Sequence, residues 1–245
     1  MVAVKPLGRK AYGSIGHLPE SRMGPADHHV HEGQARICTE QARKGDIVVV
    51  QEKLDGSCVA VAKINGEIVP LIRAGYRARD GRREFQHQFD RWAMEHADQF
   101  DSLLMEGERV VGEWLALAHG TRYRNLHSPF VAFDLMVGDK RATTEEVISR
   151  CIDAGISNAP VVIANNGAVP LADALAEMGQ GRFDPHPDDG PEGVVYRVER
   201  YPSGDAPSTV DFLAKWVNPA KVDGKYLPEL SGHPEVWNWT PEVTP

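Results

Sequence analysis

The chain has few cysteines, no long apolar segment and no excess of positive charge. Its three cysteines, Cys38, Cys58 and Cys151, are widely spaced and odd in number. This favours reduced thiols in a cytoplasmic protein over disulfides or a structural zinc site. No apolar run approaches the roughly 20 residues that span a bilayer, and the first residues lack the apolar core of a secretory signal. The sequence therefore predicts a cytoplasmic protein that does not enter a membrane.

Acidic residues outnumber basic ones. The chain of 245 residues has 27 Lys and Arg against 35 Asp and Glu, a net charge of −8, which argues against a protein that coats nucleic acid through charge alone. Positive charge is nevertheless concentrated between positions 73 and 91, where acidic residues interleave with it. That segment is either a solvated face or a surface for phosphate groups. Its arginines are Arg73, Arg77, Arg79, Arg82, Arg83 and Arg91.

Apolar periodicity predicts an α/β domain that is rich in strands. The turn Asn65-Gly66 separates two apolar runs and predicts a hairpin. Residues 181–191, rich in Gly, Pro and Asp, predict a loop. The predicted strands are 47–52, 57–63, 67–72, 109–115, 130–137, 160–164, 193–198 and 209–217, and the predicted helices are 85–104, 143–153 and 171–178.

The chain shows no internal repeat and no linker that would divide it. Residues 1–45 predict an irregular leader that packs on a single domain at 46–227. Residues 228–245, which contain four prolines and two tryptophans, predict a tail that wraps over the surface. Within the leader, Asp27-His28-His29-Val30-His31 has metal-binding side chains, but no further ligand follows at a zinc-site spacing. Zinc is therefore disfavoured there.

The most informative motif is Lys53-Leu54-Asp55-Gly56. It follows the β-branched run 47–50, so the lysine is predicted at the end of a buried strand, beside a glycine turn. A lysine in such a place is held rigidly and can still reach a ligand. A second copy of the pattern, at 221–224, has no such context, and we interpret it as a surface turn.

Further polar residues occur on the strands that follow Lys53. They are Arg73, Glu113, Asp134 beside Phe133, Glu192 and Lys215. Lysine and arginine neutralise a polyphosphate, carboxylates hold a hydrated Mg²⁺ and ribose hydroxyls, and an aromatic ring stacks on a base. Together with Lys53 and Asp55, these side chains predict nucleotide chemistry.

The order of these motifs resembles that of the covalent nucleotidyltransferase superfamily of RNA ligases, DNA ligases and capping enzymes. The stretch 112–134, which begins Gly112-Glu113-Trp114, is similar to that of ATP-dependent RNA ligases, as is the leader segment 12–22. The resemblance implies an ATP-grasp-like nucleotidyltransferase (adenylation) domain at 46–227, with antiparallel-rich central sheets flanked by helices. Because only about 30 residues follow Lys215, no C-terminal oligonucleotide-binding (OB) barrel is expected.

The resemblance assigns the covalent chemistry to two lysines. Lys53 would attack the α-phosphorus of ATP to form lysyl-AMP, and Lys215 would stabilise the charge that builds on the α-phosphate. Nearby cations and a bound metal would lower the pKa of Lys53 and release its free amine. Asp55 and Glu192 would hold Mg²⁺ or Mn²⁺ through its water shell.

The resemblance also implies how the nucleotide is bound. Glu52 would help to recognise the adenine edge, and Phe133 would stack on the base. Arg73 and Glu113 would hold the ribose and the phosphates, and Gly56 belongs to the same nucleotide-binding set. Here Phe133 is preferred to Phe130 because Asp134 follows it.

Two departures from the family pattern concern this set. The last strand has Lys215-Trp216-Val217 where many members have Lys-x-Lys, so the second cation is missing or comes from Lys221 or Lys225. Cys58 stands where several RNA ligases have a polar residue.

The implied partners are ATP and RNA, with a nick or an RNA/DNA hybrid duplex among the substrates, and an accessory end-binding or end-healing protein. No membrane partner is implied. Two other functions stay open. One is a guanylyltransferase or a DNA-ligase-like enzyme, which uses the same covalent chemistry. The other is a non-catalytic module that binds a nucleotide or an RNA end.

Overall fold

The computed structural model describes residues 4–202 and 207–240. Residues 1–3 of the predicted leader and 241–245 of the predicted tail lie outside this range. The strands are β1 (Gly16–His17), β2 (Asp46–Lys53), β3 (Ser57–Ile64), β4 (Glu67–Ile72), β5 (Glu108–Trp114), β6 (Phe130–Val137), β7 (Lys140–Arg141), β8 (Val161–Asn165), β9 (Gly193–Arg200) and β10 (Thr209–Val217). The helices are α1 (Glu32–Thr39), α2 (Glu84–Glu95), α3 (Ala97–Leu103), α4 (Thr144–Asp153), α5 (Leu171–Met178) and α6 (Pro228–Ser231), and a 3-10 turn spans Ala78–Asp80.

The strands form two five-stranded sheets. The first has the order β1-β10-β9-β2-β8 and the second the order β4-β3-β5-β6-β7. All neighbouring strands are antiparallel except β1 and β10, which are parallel. One apolar cluster packs α2, α3 and α4 on the second sheet, and another packs α1 and α5 on the first. The expected α/β fold with antiparallel-rich sheets flanked by helices is confirmed, and the described residues contain no closed barrel.

The connection between β2 and β3 places the lysine motif between the sheets. Lys53 is the last residue of β2 in the first sheet, and Ser57 opens β3 in the second. Only three residues link these strands, so the sheets approach each other at this point. Gly56 has to be glycine because a Cβ there would lie 2.4 Å from the carbonyl oxygen of Trp114.

The predicted strands all form, and the helices differ in one place. Asn65 and Gly66 have φ of 54° and 75°, as a two-residue hairpin turn requires. The predicted helix 85–104 is two helices, α2 and α3, because the backbone of His96 leaves the helical region (φ −107°, ψ 21°). Both helices still pack against the second sheet, as the apolar spacing predicted.

The leader is more ordered than the sequence indicated. It contains α1, and its strand β1 adds an edge to the first sheet beside β10. The sequence prediction missed this because β1 has only two residues and its partner lies about 200 positions further on. Leader residues 11 and 12 are also buried, against the second sheet.

The described part of the tail contacts the domain through its two tryptophans. Trp239 contacts Trp114 edge to face with ring centroids 6.1 Å apart, and Trp237 pairs with Leu117 through an isolated bridge. The three cysteines are free thiols. Within 4–202 and 207–240, no helix is both long and apolar enough to cross a bilayer.

Candidate active site

A cavity of about 480 Å³ opens between the two sheets, a size typical of small-molecule sites. It brings together most of the residues that the sequence singled out, although they come from both sheets. The predicted residues that line it are Glu52, Lys53, Gly56, Arg73, Glu113, Phe133 and Lys215. Asp55 and Glu192 lie beside it rather than in its wall.

Lys53 forms an ion pair with Glu192. Its Nζ lies 2.7 Å from Oε2 of Glu192, and both side chains are largely buried. The pairing follows from strand register, because Lys53 faces Gly193 across β2 and β9, and Glu192 precedes that glycine. A Cβ on Gly193 would lie 2.0 Å from the carbonyl oxygen of Trp216, so the backbone can come this close only at a glycine.

The surroundings of Lys53 favour its charged form. Burial works to lower the pKa of Lys53, but the negative charges of Glu192 and Glu113 outweigh it, and the pKa lies above its ordinary value. The expectation that nearby cations lower this pKa is therefore wrong for the protein alone, because carboxylates are the stronger influence. Deprotonation of Lys53 at neutral pH therefore requires a positive charge that neutralises those carboxylates.

Glu113 and Phe133 occupy the wall formed by the second sheet. Glu113 faces Cys58 across β5 and β3, and its Oε1 accepts a hydrogen bond from the N–H of Gly56 at 3.2 Å. Burial raises the pKa of Glu113 to about 7. Phe133 is half-buried and packs edge to face on Tyr12, with ring centroids 5.3 Å apart. A flat apolar surface thus adjoins a half-buried carboxyl group.

Asp134, next to Phe133, belongs to the protein interior. It is fully buried in the middle of β6, where Tyr12 Oη donates to it at 3.1 Å and Arg141 and Arg197 pair with it. The sequence placed this carboxylate at a strand end, among possible ligands for a metal or ribose. The ion pair with Arg197 instead joins the two sheets.

Asp55 lies beside the cavity without lining it. Its Oδ2 accepts hydrogen bonds from the N–H of Gly120 at 2.9 Å and the hydroxyl of Thr121 at 3.0 Å. Its own N–H donates to Tyr123 Oη at 2.8 Å. The residue therefore fixes the segment that follows β5, and its other carboxylate oxygen is the one left for a ligand.

Glu52 anchors the loop 181–191. Its Oε2 accepts the N–H of Arg182 at 2.7 Å, and a Cβ on Gly181 would lie 2.9 Å from its Oε1. Burial raises the pKa of this carboxyl. Glu52 also lines the cavity, so it connects the floor of the site to the loop.

Arg73 and Lys215 supply the positive charge of the cavity wall. Arg73 is exposed, and its Nη2 donates to the carbonyl of Gly13 at 2.9 Å. Lys215 is half-buried, with its Nζ 3.7 Å from Oδ1 of Asp27. Burial and then the charge of Lys53 lower the pKa of Lys215.

The second copy of the lysine motif is not a simple surface turn. Lys221 is buried, and its Nζ donates to the hydroxyl of Thr121 at 2.5 Å and to the carbonyls of Asp189 and Gly190, both at 3.0 Å. Lys225 is exposed and pairs with Asp189 at 2.6 Å. Neither amine lines the cavity. The sequence could not reveal this burial, because it depends on two distant loops.

The carboxylates beside Lys53 are suited to a hard divalent cation. Burial raises the pKa values of Glu192 and Glu113, so the carboxylate forms of both would gain from a nearby positive charge. Across the described ranges, no group of three His, Cys, Asp or Glu side chains could hold an ion alone. Magnesium commonly completes its shell with water and substrate phosphates, and this donor set fits that mode.

Several cavity residues were not predicted as site residues. Tyr12, Gly13 and Ile15 come from the leader, and Arg197 comes from β9. The similarity of segment 12–22 to other ligases was the one available signal for the first three. Arg197 looked like an ordinary strand residue because nothing local marks it as buried.

The two antiparallel-rich sheets with flanking helices resemble the nucleotidyltransferase fold of RNA ligases. Residues 46–217 match the model of the RNA ligase family. The chain belongs to the RNA ligase family. No curated protein sequence matches it.

Solved RNA ligases share the fold at low sequence identity. A ligand-free variant of Naegleria gruberi RNA ligase is 15% identical with a TM-score of 0.51, over 95% of this chain and 64% of that one. Another variant, with ATP and manganese, is 16% identical with a TM-score of 0.50, over 72% and 51%. An archaeal ATP-dependent RNA ligase is 20% identical with a TM-score of 0.45, over 84% and 48%. The chain thus spans about half the length of the last two.

Proposed function

We propose that the protein is an ATP-dependent RNA ligase that works through a lysyl-AMP intermediate on Lys53. The observation that carries the proposal is the position of Lys53. Its amine stands at a strand end in the cavity, within the segment that matches the RNA ligase family. The Naegleria structure with ATP and manganese supports the choice of nucleotide and of a divalent ion.

In the first step, the neutral amine of Lys53 attacks the α-phosphorus of ATP. A phosphorus–nitrogen bond forms, the bond to the bridging oxygen of the β-phosphate breaks, and pyrophosphate leaves. Lys53 must first lose the proton that Glu192 stabilises at 2.7 Å. A divalent ion held by Glu192 would offset the carboxylate charge that favours the ammonium form, so the pKa of Lys53 would fall and its proton could pass to water.

A bound Mg²⁺ or Mn²⁺ would supply charge neutralisation at the phosphates. Glu192, with the free oxygen of Asp55, would hold it through water. Lys215, on the opposite wall from Glu113, would stabilise the charge that develops on the α-phosphate. Arg73, exposed at the rim of the cavity, would bind the phosphate side of the nucleotide together with Glu113.

Phe133 and Glu52, which both line the cavity, would form the end that binds the base. The ring of Phe133, held edge to face by Tyr12, offers a stacking surface for adenine. Glu52 would contact the adenine edge while its carboxylate holds the N–H of Arg182. Gly56, which lines the cavity beside Lys53, would contribute its backbone to the nucleotide site.

In the later steps, the AMP passes from Lys53 to the 5′-phosphate of RNA, and a 3′-hydroxyl displaces it to seal the strand. The test is a sealing assay with 5′-labelled RNA presented as a nicked duplex, as a nick in an RNA/DNA hybrid and as free ends. We expect ligated product and adenylylated RNA with the wild type and neither with Lys53→Ala. Lack of both with every substrate, or equal activity in the variant, would contradict the proposal.

A further inference from the structure

The leader reaches the site at Lys215. Strand β1 lies parallel to β10, with His17 opposite Lys215. The N–H of Leu18 donates to the carbonyl of Lys215 at 2.8 Å, and the N–H of Arg22 donates to that of Val217 at 2.9 Å. The leader therefore follows the strand that carries the second lysine and is fixed to its backbone.

The leader then folds back on itself and places Asp27 beside Lys215. The N–H of His17 donates to the carbonyl of His28, and the N–H of Val30 donates to that of His17, at 2.8 and 2.9 Å. Gly16 permits this return, because a Cβ there would lie 2.7 Å from a methyl carbon of Val30. The backbone around Asp27 is thus fixed on both sides.

The carboxylate of Asp27 is held in one orientation. Its Oδ2 accepts the N–H of Gly24 at 2.9 Å and lies 3.2 Å from Nε2 of His17. Burial lowers the pKa of His17 to about 4, so this imidazole is neutral and does not compensate the carboxylate. The other oxygen, Oδ1, faces Lys215 Nζ at 3.7 Å.

We propose that Asp27 is a positioning residue of the active site. Its carboxylate holds the ammonium group of Lys215 in the cavity wall, in the place and charge state that transfer to the α-phosphate requires. This inference rests on the proposed function for the catalytic need, and on the leader geometry for the contact itself. It also gives a role to the Asp-His-His segment, which the sequence left without one.

The pKa of Lys215 depends on the charged groups around it, so the contribution of Asp27 can be measured. Lys53, Arg73 and the buried surroundings disfavour its ammonium form, whereas Asp27 and Glu192 favour it. The imidazole of His17, which faces the same carboxylate, is neutral above about pH 4. Loss of the Asp27 charge therefore removes one of the two influences that keep Lys215 protonated.

The first experiment measures Lys215 without turnover. Trace acetylation of the ligand-free protein across a pH series, followed by peptide mass mapping, gives the pH midpoint at which each lysine becomes reactive. In Asp27→Asn we expect the Lys215 midpoint to move to lower pH.

Two controls accompany this variant. The asparagine amide keeps an acceptor for the Gly24 N–H, and thermal unfolding tests whether the variant is folded. The control, Asp139→Asn, removes an exposed partner of Arg9 and should leave the midpoint unchanged.

The second experiment measures lysyl-AMP formation at saturating ATP. We expect Asp27→Asn to slow the step about tenfold, with a smaller change in the apparent affinity for ATP. Asp27→Glu should recover part of the rate because it restores the charge.

An unchanged Lys215 midpoint in Asp27→Asn would overturn the inference, as would a wild-type rate of lysyl-AMP formation in that variant. If the wild type forms no lysyl-AMP, the proposed function fails, and the acetylation series still decides the pairing of Asp27 with Lys215.

Discussion

The Nζ of Lys53 lies 2.7 Å from the Oε2 of Glu192, across the register of β2 and β9. The surroundings of the proposed nucleophile therefore favour its ammonium form. A lysine of this kind does not react until its carboxylate partner is engaged elsewhere. Under the proposed function, the ion pair would make nucleotide and metal binding a condition for the attack by Lys53.

Removing the partner charge should release the amine. In Glu192→Gln, we expect the pKa of Lys53 to fall because the largest influence favouring its ammonium form is lost. Trace acetylation across a pH series should show the Lys53 midpoint at lower pH than in the wild type. Glu40→Gln, which removes an exposed partner of Arg36, is the control. A midpoint that stays in place or rises in Glu192→Gln would refute the account of the resting state.

The buried carboxyl of Glu113 predicts a pH dependence of stability. Its pKa rises from 4.5 to about 7 on folding because it is buried, so the folded state binds the proton more tightly. The resulting stabilisation is complete below the unfolded value and is lost as the pH rises through about 7. The free energy of unfolding in urea should therefore decline between about pH 5 and pH 8, and Glu113→Gln should reduce this decline. An equally steep decline in the variant would count against the assignment.

Gly56 should not tolerate a side chain. A Cβ at this position would lie 2.4 Å from the carbonyl oxygen of Trp114 and 3.0 Å from a methyl carbon of Leu115. We expect Gly56→Ala to lower the free energy of unfolding by about 1–3 kcal/mol, as overpacking does. Gly33→Ala, in α1 with open space around it, should stay within about 1 kcal/mol of the wild type, on the stabilising side. Equal stabilities of the two variants in urea would contradict this picture.

Lys221 and Lys225 should differ strongly despite their proximity in sequence. The buried amine of Lys221 satisfies one hydroxyl and two carbonyls. Lys221→Ala should therefore cost about 1–3 kcal/mol of unfolding free energy. Lys225 is exposed, and its buried partner Asp189 keeps hydrogen bonds from Arg122 and Tyr226 when the lysine is lost. Replacement of Lys225 by alanine should therefore cost only about 0–1 kcal/mol. Urea unfolding of both variants measures the difference in unfolding free energy. A larger loss in Lys225→Ala than in Lys221→Ala would contradict a stabilising role for the buried Lys221 amine.

The sequence predicted the central domain well because its strands carry strong local signals. The β-branched run before Lys53 and the Asn65-Gly66 turn require no knowledge of distant contacts. Residues that line the cavity on strands β2, β5, β6 and β10 were singled out for the same reason, and their roles stay predictions.

The features that the sequence did not predict depend on contacts between distant segments. The pairing of Asp27 with Lys215 joins positions 188 apart, and β1 is too short for a periodic pattern. Asp55 contacts Gly120 and Thr121, and Lys221 is buried between two loops. No local sequence pattern predicts either set of contacts. The break at His96 also escaped prediction, because apolar residues continue at helical spacing on both sides.

The most direct test of the central claim is intact-mass spectrometry of the protein incubated with ATP and Mg²⁺ or Mn²⁺, beside Lys53→Ala. The account predicts a gain of about 329 Da, one AMP captured covalently at lysine, in the wild type and not in the variant. GTP and NAD are tested in parallel, on protein first stripped with pyrophosphate. The absence of any adduct with ATP, or an adduct that persists in Lys53→Ala, would contradict the account.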